Sequence, residues 1–193
     1  MKRPQRRSIV VLGMMTKMPV PGVIWQTLHY LLGFRRLGYD VVYVEAHARA
    51  PAPFMETESD TGTARAAAFL DDLMSRFGFA DRWAYHALHE DGACYGIERA
   101  ALERAYASAS AIVNLHGGTV PLDEHVATGR LVLVATDPGL LEVEIAAGRP
   151  ETLRFLDAHC AAFTFGENYG HPVSGLPVSD RFSRCRSSTH QRQ

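Results

Sequence analysis

The chain has 193 residues, 47% of them hydrophobic and 21% charged. Those values exclude a disordered or fibrous chain and allow one domain of ordinary size, or two very small ones, with a full core. Lys+Arg is 20 against Asp+Glu 21, so the net charge is −1, which argues against nucleic-acid binding driven by overall charge.

Residues 1–7 read as a basic lead-in. The apolar run that follows is interrupted early by Thr16, Lys17 and Pro19, and no small-residue cleavage site follows at a suitable distance. A buried strand is therefore expected here, not a secretory signal. Ser8–Gly13 is short, apolar and β-branched, the habit of a strand covered on both faces in a parallel sheet. A loop runs from Met14 to Gly22. Ile24, Leu28, Leu31 and Leu32 then share one side of a helix over Val23–Leu37, closed by Gly38. Tyr39–Ala46 is the second strand, completing one βαβ unit with parallel strands.

Residues 47–63 form a polar loop. Thr63 is placed to cap a helix over Ala64–Phe77. Trp83–His86 reads as a short strand and Ile97–Ser108 as a helix. Ala111–Leu115 is a buried strand running into His116, Gly117 and Gly118. Leu122–Thr128 makes a turn or two of helix, and Leu131–Thr136 is a strand ending in Asp137, Pro138 and Gly139. Leu140–Ala147 alternates like a strand, but Asp137 as a cap with Pro138 behind it favours a helix. A helix over Pro150–Ala158 and a strand over Cys160–Phe165 complete the pattern. The alternation points to the α/β class: a single Rossmann-like open parallel sheet with helices on both faces, over residues 8–180. Residues 181–193 hold four arginines, no acid and one large apolar side chain, Phe182. A disordered tail is expected there, with a basic partner-binding arm as the functional alternative.

Cys94, Cys160 and Cys185 are odd in number and widely spaced. They suit reduced thiols in a cytoplasmic protein, not a disulfide framework or a zinc site. His86 and His89 lie three apart without a third ligand at suitable spacing, so no metal is expected. No run approaches the ~18–20 apolar residues of a membrane helix, so no membrane span is expected.

Ligands of open parallel sheets bind beyond the carboxyl ends of the strands. Those ends carry Gly13, Glu45 with His47, His116 with Gly117 and Gly118, Asp137, and Glu167 with Asn168. Gly13, Pro21 and Gly22 belong to a loop that lets backbone approach a ligand, or that is a plain connection. It is neither GxGxxG nor a Walker loop. Glu45 stands where a dinucleotide fold places an acid for the ribose. His116 is either a general base or a turn residue satisfying backbone. Asp137 is a helix cap or a ligand group. Trp25 and His29, one turn apart, stack on a sugar ring or pack in the core.

The strings GMMTKMPVPGVIWQTLHYLLGFRRLGYDVVYVEA, NLHGG, ATDPG and FTFGENYG, in that order, resemble the amino-terminal domain of GT-B glycosyltransferases over about Ser8 to Phe182. The resemblance implies two facing Rossmann-like domains, the first holding a small-molecule or glycan acceptor. A nucleoside diphosphate sugar, bound by the second, is the co-substrate, and no tightly bound cofactor or metal is implied. It implies His116, Asp137 and Glu45 as catalytic candidates. Gly13, Pro21, Gly22, Trp25, His29, His47, Gly117 and Gly118 would line the acceptor side, with Glu167 and Asn168 near the domain junction. The chain has the length of the first domain only, and Ser183–Gln193 departs from the family pattern. The donor side would then come from a separate domain. Two other readings are a non-catalytic ligand-binding domain and an NAD(P)-dependent oxidoreductase or epimerase using Glu45.

Overall fold

The computed structural model describes residues 7–184, leaving the backbone of most of the basic lead-in and of Cys185–Gln193 outside the account. Eight strands form one sheet: β1 (Ser8–Leu12), β2 (Asp40–Ala46), β3 (Trp83–His86), β4 (Cys94–Gly96), β5 (Ala111–Leu115), β6 (Leu131–Ala135), β7 (Ala161–Thr164) and β8 (Phe182–Arg184). Their order is β4-β3-β2-β1-β5-β6-β7-β8. All neighbours are parallel except β3 and β4. The chain winds outward from β1 through β2 to β3, returns to place β5 on the other side of β1, and winds outward again. This is a doubly wound Rossmann-like sheet, and its direction reverses between β1 and β5.

Six α-helices join the strands: α1 (Pro21–Arg36), α2 (Thr63–Arg76), α3 (Arg99–Ser108), α4 (Asp123–Val126), α5 (Leu140–Ala146) and α6 (Pro150–Asp157). Ile9, Val10, Val11 and Leu12 are all buried because alternate side chains of β1 meet helices on opposite faces. Val11, Val41 and Tyr43 pack against Leu28 and Leu31 of α1 and Leu70 of α2. Val10, Leu12 and Val44 pack on the other face against Leu102 and Tyr106 of α3. A third cluster, Leu133, Ala135 and Ala162 with Leu156 of α6, covers the far end of the sheet.

Several expectations shift in detail. α1 starts at Pro21, whose fixed φ suits the first helical position. Thr63 is the first residue of α2 rather than its cap, and Gly62 stands before it. α5 forms, but Gly139 precedes it, so neither Asp137 nor Pro138 starts the helix. The carboxylate of Glu142 instead reaches back to accept from the Gly139 N–H at 2.7 Å. The three-residue strand β4 has too little sequence to show a period.

The tail is corrected as well. Phe182–Arg184 is not disordered: it adds a parallel edge strand to β7, in register Ala162↔Phe182. Phe182 is buried with Ala162 and Tyr169. One large side chain in a waiting apolar site, with ladder hydrogen bonds, is enough to order three residues. The sheet domain therefore runs past residue 180, and the rest of the expected tail lies outside the described residues. No helix among the described residues is long and apolar enough to cross a membrane. Cys94 and Cys160 are free thiols.

Candidate functional site

The reversal between β1 and β5 opens the crevice where ligands of such sheets sit, because the loops leaving the two strands turn to opposite faces. Between Leu12 and Pro21 the chain makes a turn in which Met14 accepts, through its carbonyl, from the amides of Lys17 and Met18. This loop rests on Glu45, which is completely buried. The Thr16 N–H donates to both Glu45 oxygens, at 3.0 and 3.1 Å, and the Thr16 hydroxyl donates to Oε2. The Tyr43 hydroxyl donates to Oε1 at 2.6 Å and accepts from the Met15 N–H at 3.2 Å. His47 Nε2 lies 3.2 Å from Oε2. Burial, with Glu45 beside it, holds the Tyr43 hydroxyl well above its usual pKa, so it stays a donor.

Glu45 is thus an anchor for the first loop, enclosed away from solvent. The glycines beside it have a packing role. A Cβ on Gly13 would lie 2.4 Å from Cε2 of Tyr43, and one on Gly118 would lie 2.8 Å from Cβ of Met14. Neither leaves open room for a phosphate at its α-carbon. The two loops are tied together: Thr119 Oγ1 donates to the Gly13 carbonyl at 3.4 Å, and Lys17 Nζ donates to the Gly118 carbonyl at 3.1 Å.

His116 follows β5 with φ of 66°, the only non-glycine residue in the left-handed region among those described. Its Nε2 is 3.1 Å from Thr27 Oγ1 on α1, and its Nδ1 is 2.7 Å from Thr136 Oγ1 after β6. Each ring nitrogen meets a hydroxyl that can donate or accept, so either neutral tautomer is satisfied. Burial lowers its pKa to about 4. At neutral pH the ring is uncharged and joins three elements, an arrangement suited to holding the turn that carries Gly117 and Gly118. His125, buried on α4, is likewise lowered to about 4 by burial.

These two depressed values set a pH dependence. Both histidines take up a proton more readily in the unfolded chain, with its ordinary pKa near 6.5, than in the folded one. Their contribution is complete above about pH 6.5 and is lost as pH falls toward about 4. The melting temperature is expected to be level between pH 7 and 8 and to fall between pH 6.5 and 5, before most carboxylates titrate. A melting temperature constant across pH 6.5 to 5 contradicts this.

The crevice holds a cleft of about 380 Å3. Lys17 comes from the first loop. Ala46, His47, Ala48 and Arg49 come from the end of β2, and Leu88 from beyond β3. Gly118, Val120 and Leu122 from the loop after β5 complete it. Of the residues singled out in the sequence, His47 and Gly118 line this cleft. Glu45 lies enclosed at the end of the same strand as Ala46, and His116 and Gly117 brace the neighbouring turn. Gly13 is the floor under Tyr43. Pro21 and Gly22 begin α1 and are exposed.

The remaining candidates lie elsewhere. Trp25 is 52% exposed and packs edge-on to Phe77, with ring centres 5.8 Å apart, and His29 is exposed beside it. Neither is core and neither lines the cleft. Asp137 is exposed at the end of β6, and Glu167 and Asn168 are exposed in the turn after β7. The carboxyl edge is shared, but these three sit on the β6–β7 side of it. Among the described residues no group of three or more His, Cys, Asp or Glu is placed to hold a metal ion. Lys17 and Arg49 are the cleft residues that sequence reasoning missed. Their signal was a cation in each of two strand-end loops, and nothing local says that two loops 32 positions apart face one another.

No protein-family model matches the chain. No curated protein matches it significantly.

Proposed function

We propose that the chain is the acceptor-binding half of a GT-B-type sugar transferase, holding a small-molecule or glycan acceptor at the sheet's reversal point. A nucleoside diphosphate sugar would be held by a second, facing domain. The observation that carries the reading is the cleft between the β1 and β5 loops, with apolar walls and a few polar groups, at the place where this sheet topology binds small ligands. The ordered run of strand-end motifs supports it. In a transferase the acceptor hydroxyl loses its proton as it attacks the anomeric carbon and the diphosphate leaves. His116, with both nitrogens engaged and its pKa near 4, suits a positioning role in that scheme. Asp137 is the exposed carboxylate among the three candidates.

A dinucleotide reading loses its main support, since Glu45 is enclosed and fully used by Thr16, Tyr43 and His47. Titration of 15N-labelled protein with a panel of mono- and oligosaccharides tests the proposal. At least one is expected to shift the amides of His47, Gly118 and Val120 saturably. Val120→Trp is expected to block that change, since Val120 is 73% exposed on the cleft wall. If no saccharide moves these amides, or NAD(P) saturates them, the reading fails.

A further inference from the structure

The cleft is cationic in a chain whose net charge is −1. Lys17 and Arg49 line it from two different loops, and His47 is also in its wall. The acid at this place, Glu45, lies enclosed behind that wall, bound by Thr16, Tyr43 and His47. None of the ion pairs or side-chain hydrogen bonds among the described residues uses Arg49. Arg65 pairs with Glu56, Arg82 with Asp40 and Arg99 with Glu124, while Arg49 instead shares a cleft with a second cation, Lys17. Two cations lining one small cleft, with the acid of this region sealed behind its wall, are the pattern of an anion site.

We propose that this cleft binds a phosphate-type oxyanion, held between Lys17 and Arg49. The guanidinium of Arg49 offers a planar fork to two oxygens, and the Lys17 ammonium supplies a point charge. Lys17 Nζ uses one proton on the Gly118 carbonyl, at 3.1 Å, which fixes the side chain toward the crevice and leaves two protons for a ligand. Burial lowers the pKa of Lys17, Glu45 opposes that shift, and Arg49 adds to it. An anion between the two cations relieves their repulsion. Leu88, Val120 and Leu122 provide apolar walls for the remainder of the ligand, and about 380 Å3 accommodates a sugar-sized body with one phosphate.

The inference deepens the acceptor reading, and rests on it for the sugar but not for the anion. The phosphate belongs either to a phosphorylated acceptor or to the nucleoside diphosphate, which share this chemistry.

Binding is measured by calorimetry with inorganic phosphate, glucose 6-phosphate, glucose and UDP, at low and high salt. Phosphate and glucose 6-phosphate are expected to bind, more weakly at high salt. Arg49→Met and Lys17→Met are each expected to weaken both by about tenfold or more. Arg49 is exposed and unpaired, so its variant folds even if the lysine variant loosens the loop. UDP binding tighter than glucose 6-phosphate supports the site with the nucleotide as source. The reverse supports it with a phosphorylated acceptor. Glucose binding as tightly as glucose 6-phosphate overturns the anion site and leaves the acceptor reading intact. Phosphate affinity unchanged in both variants also overturns it. Phosphate bound with no gain from any sugar removes the acceptor reading while the anion site stands.

Discussion

Glu45→Ala is expected to lower the melting temperature by on the order of 10 °C. The substitution removes a fully buried acceptor from two hydroxyls, one backbone N–H and one imidazole. Breaking a buried charged network from one side costs about 3–5 kcal/mol, because the partners left behind are desolvated and unpaired. For a chain of this length each 1 kcal/mol is worth about 2–4 °C. Glu45→Gln keeps the shape and some acceptor capacity, so its loss is expected to be smaller. In that variant the Thr16 amide is expected to lose hydrogen-exchange protection before the β1 amides do, since Glu45 is what holds the loop. A shift below about 2 °C in Glu45→Ala would show that the carboxylate is not the anchor described.

Gly13→Ala is expected to be nearly as damaging. Its Cβ would fall 2.4 Å from Cε2 and 2.5 Å from the hydroxyl oxygen of Tyr43. The Tyr43 ring is completely buried and tethered at its tip by Glu45 and the Met15 N–H, so it has no free direction in which to move. Overpacking of this kind costs about 1–3 kcal/mol. Displacing the hydroxyl takes one hydrogen bond from the buried Glu45 carboxylate, at about 1–3 kcal/mol more. The pair Gly13→Ala with Tyr43→Leu provides the check. Shortening the ring removes the clash, so the double variant is expected to be more stable than the two single losses predict, by about 0.5–3 kcal/mol. Strict additivity would mean that the methyl is accommodated elsewhere.

These two residues also show where sequence reading reached its limit. Both stand at strand ends, as expected, and both were candidate ligand groups. That Gly13 packs under Tyr43, and that Glu45 holds the loop after β1, appears only when β1 and β2 lie side by side, in register Leu12↔Val44. Asp137 shows a smaller lapse. A cap assignment rests on one residue's dihedral angles, and Gly139, with Glu142 reaching back to it, took that place. Phe182 looked isolated because the apolar site that receives it is built by β7 and Tyr169.

The α/β class, the strand-helix alternation and the parallel sheet were legible from residues alone, because burial on one or both faces imposes a period within each segment. Tertiary structure decided which strand-end groups are enclosed and which open to the cleft. Glu45 and His47 are two positions apart, yet one is sealed beneath the loop and the other lines the cleft. Lys17 and Arg49 meet the same space because β1 and β2 are neighbours and parallel. Strand order sets these distances, and no local period encodes strand order.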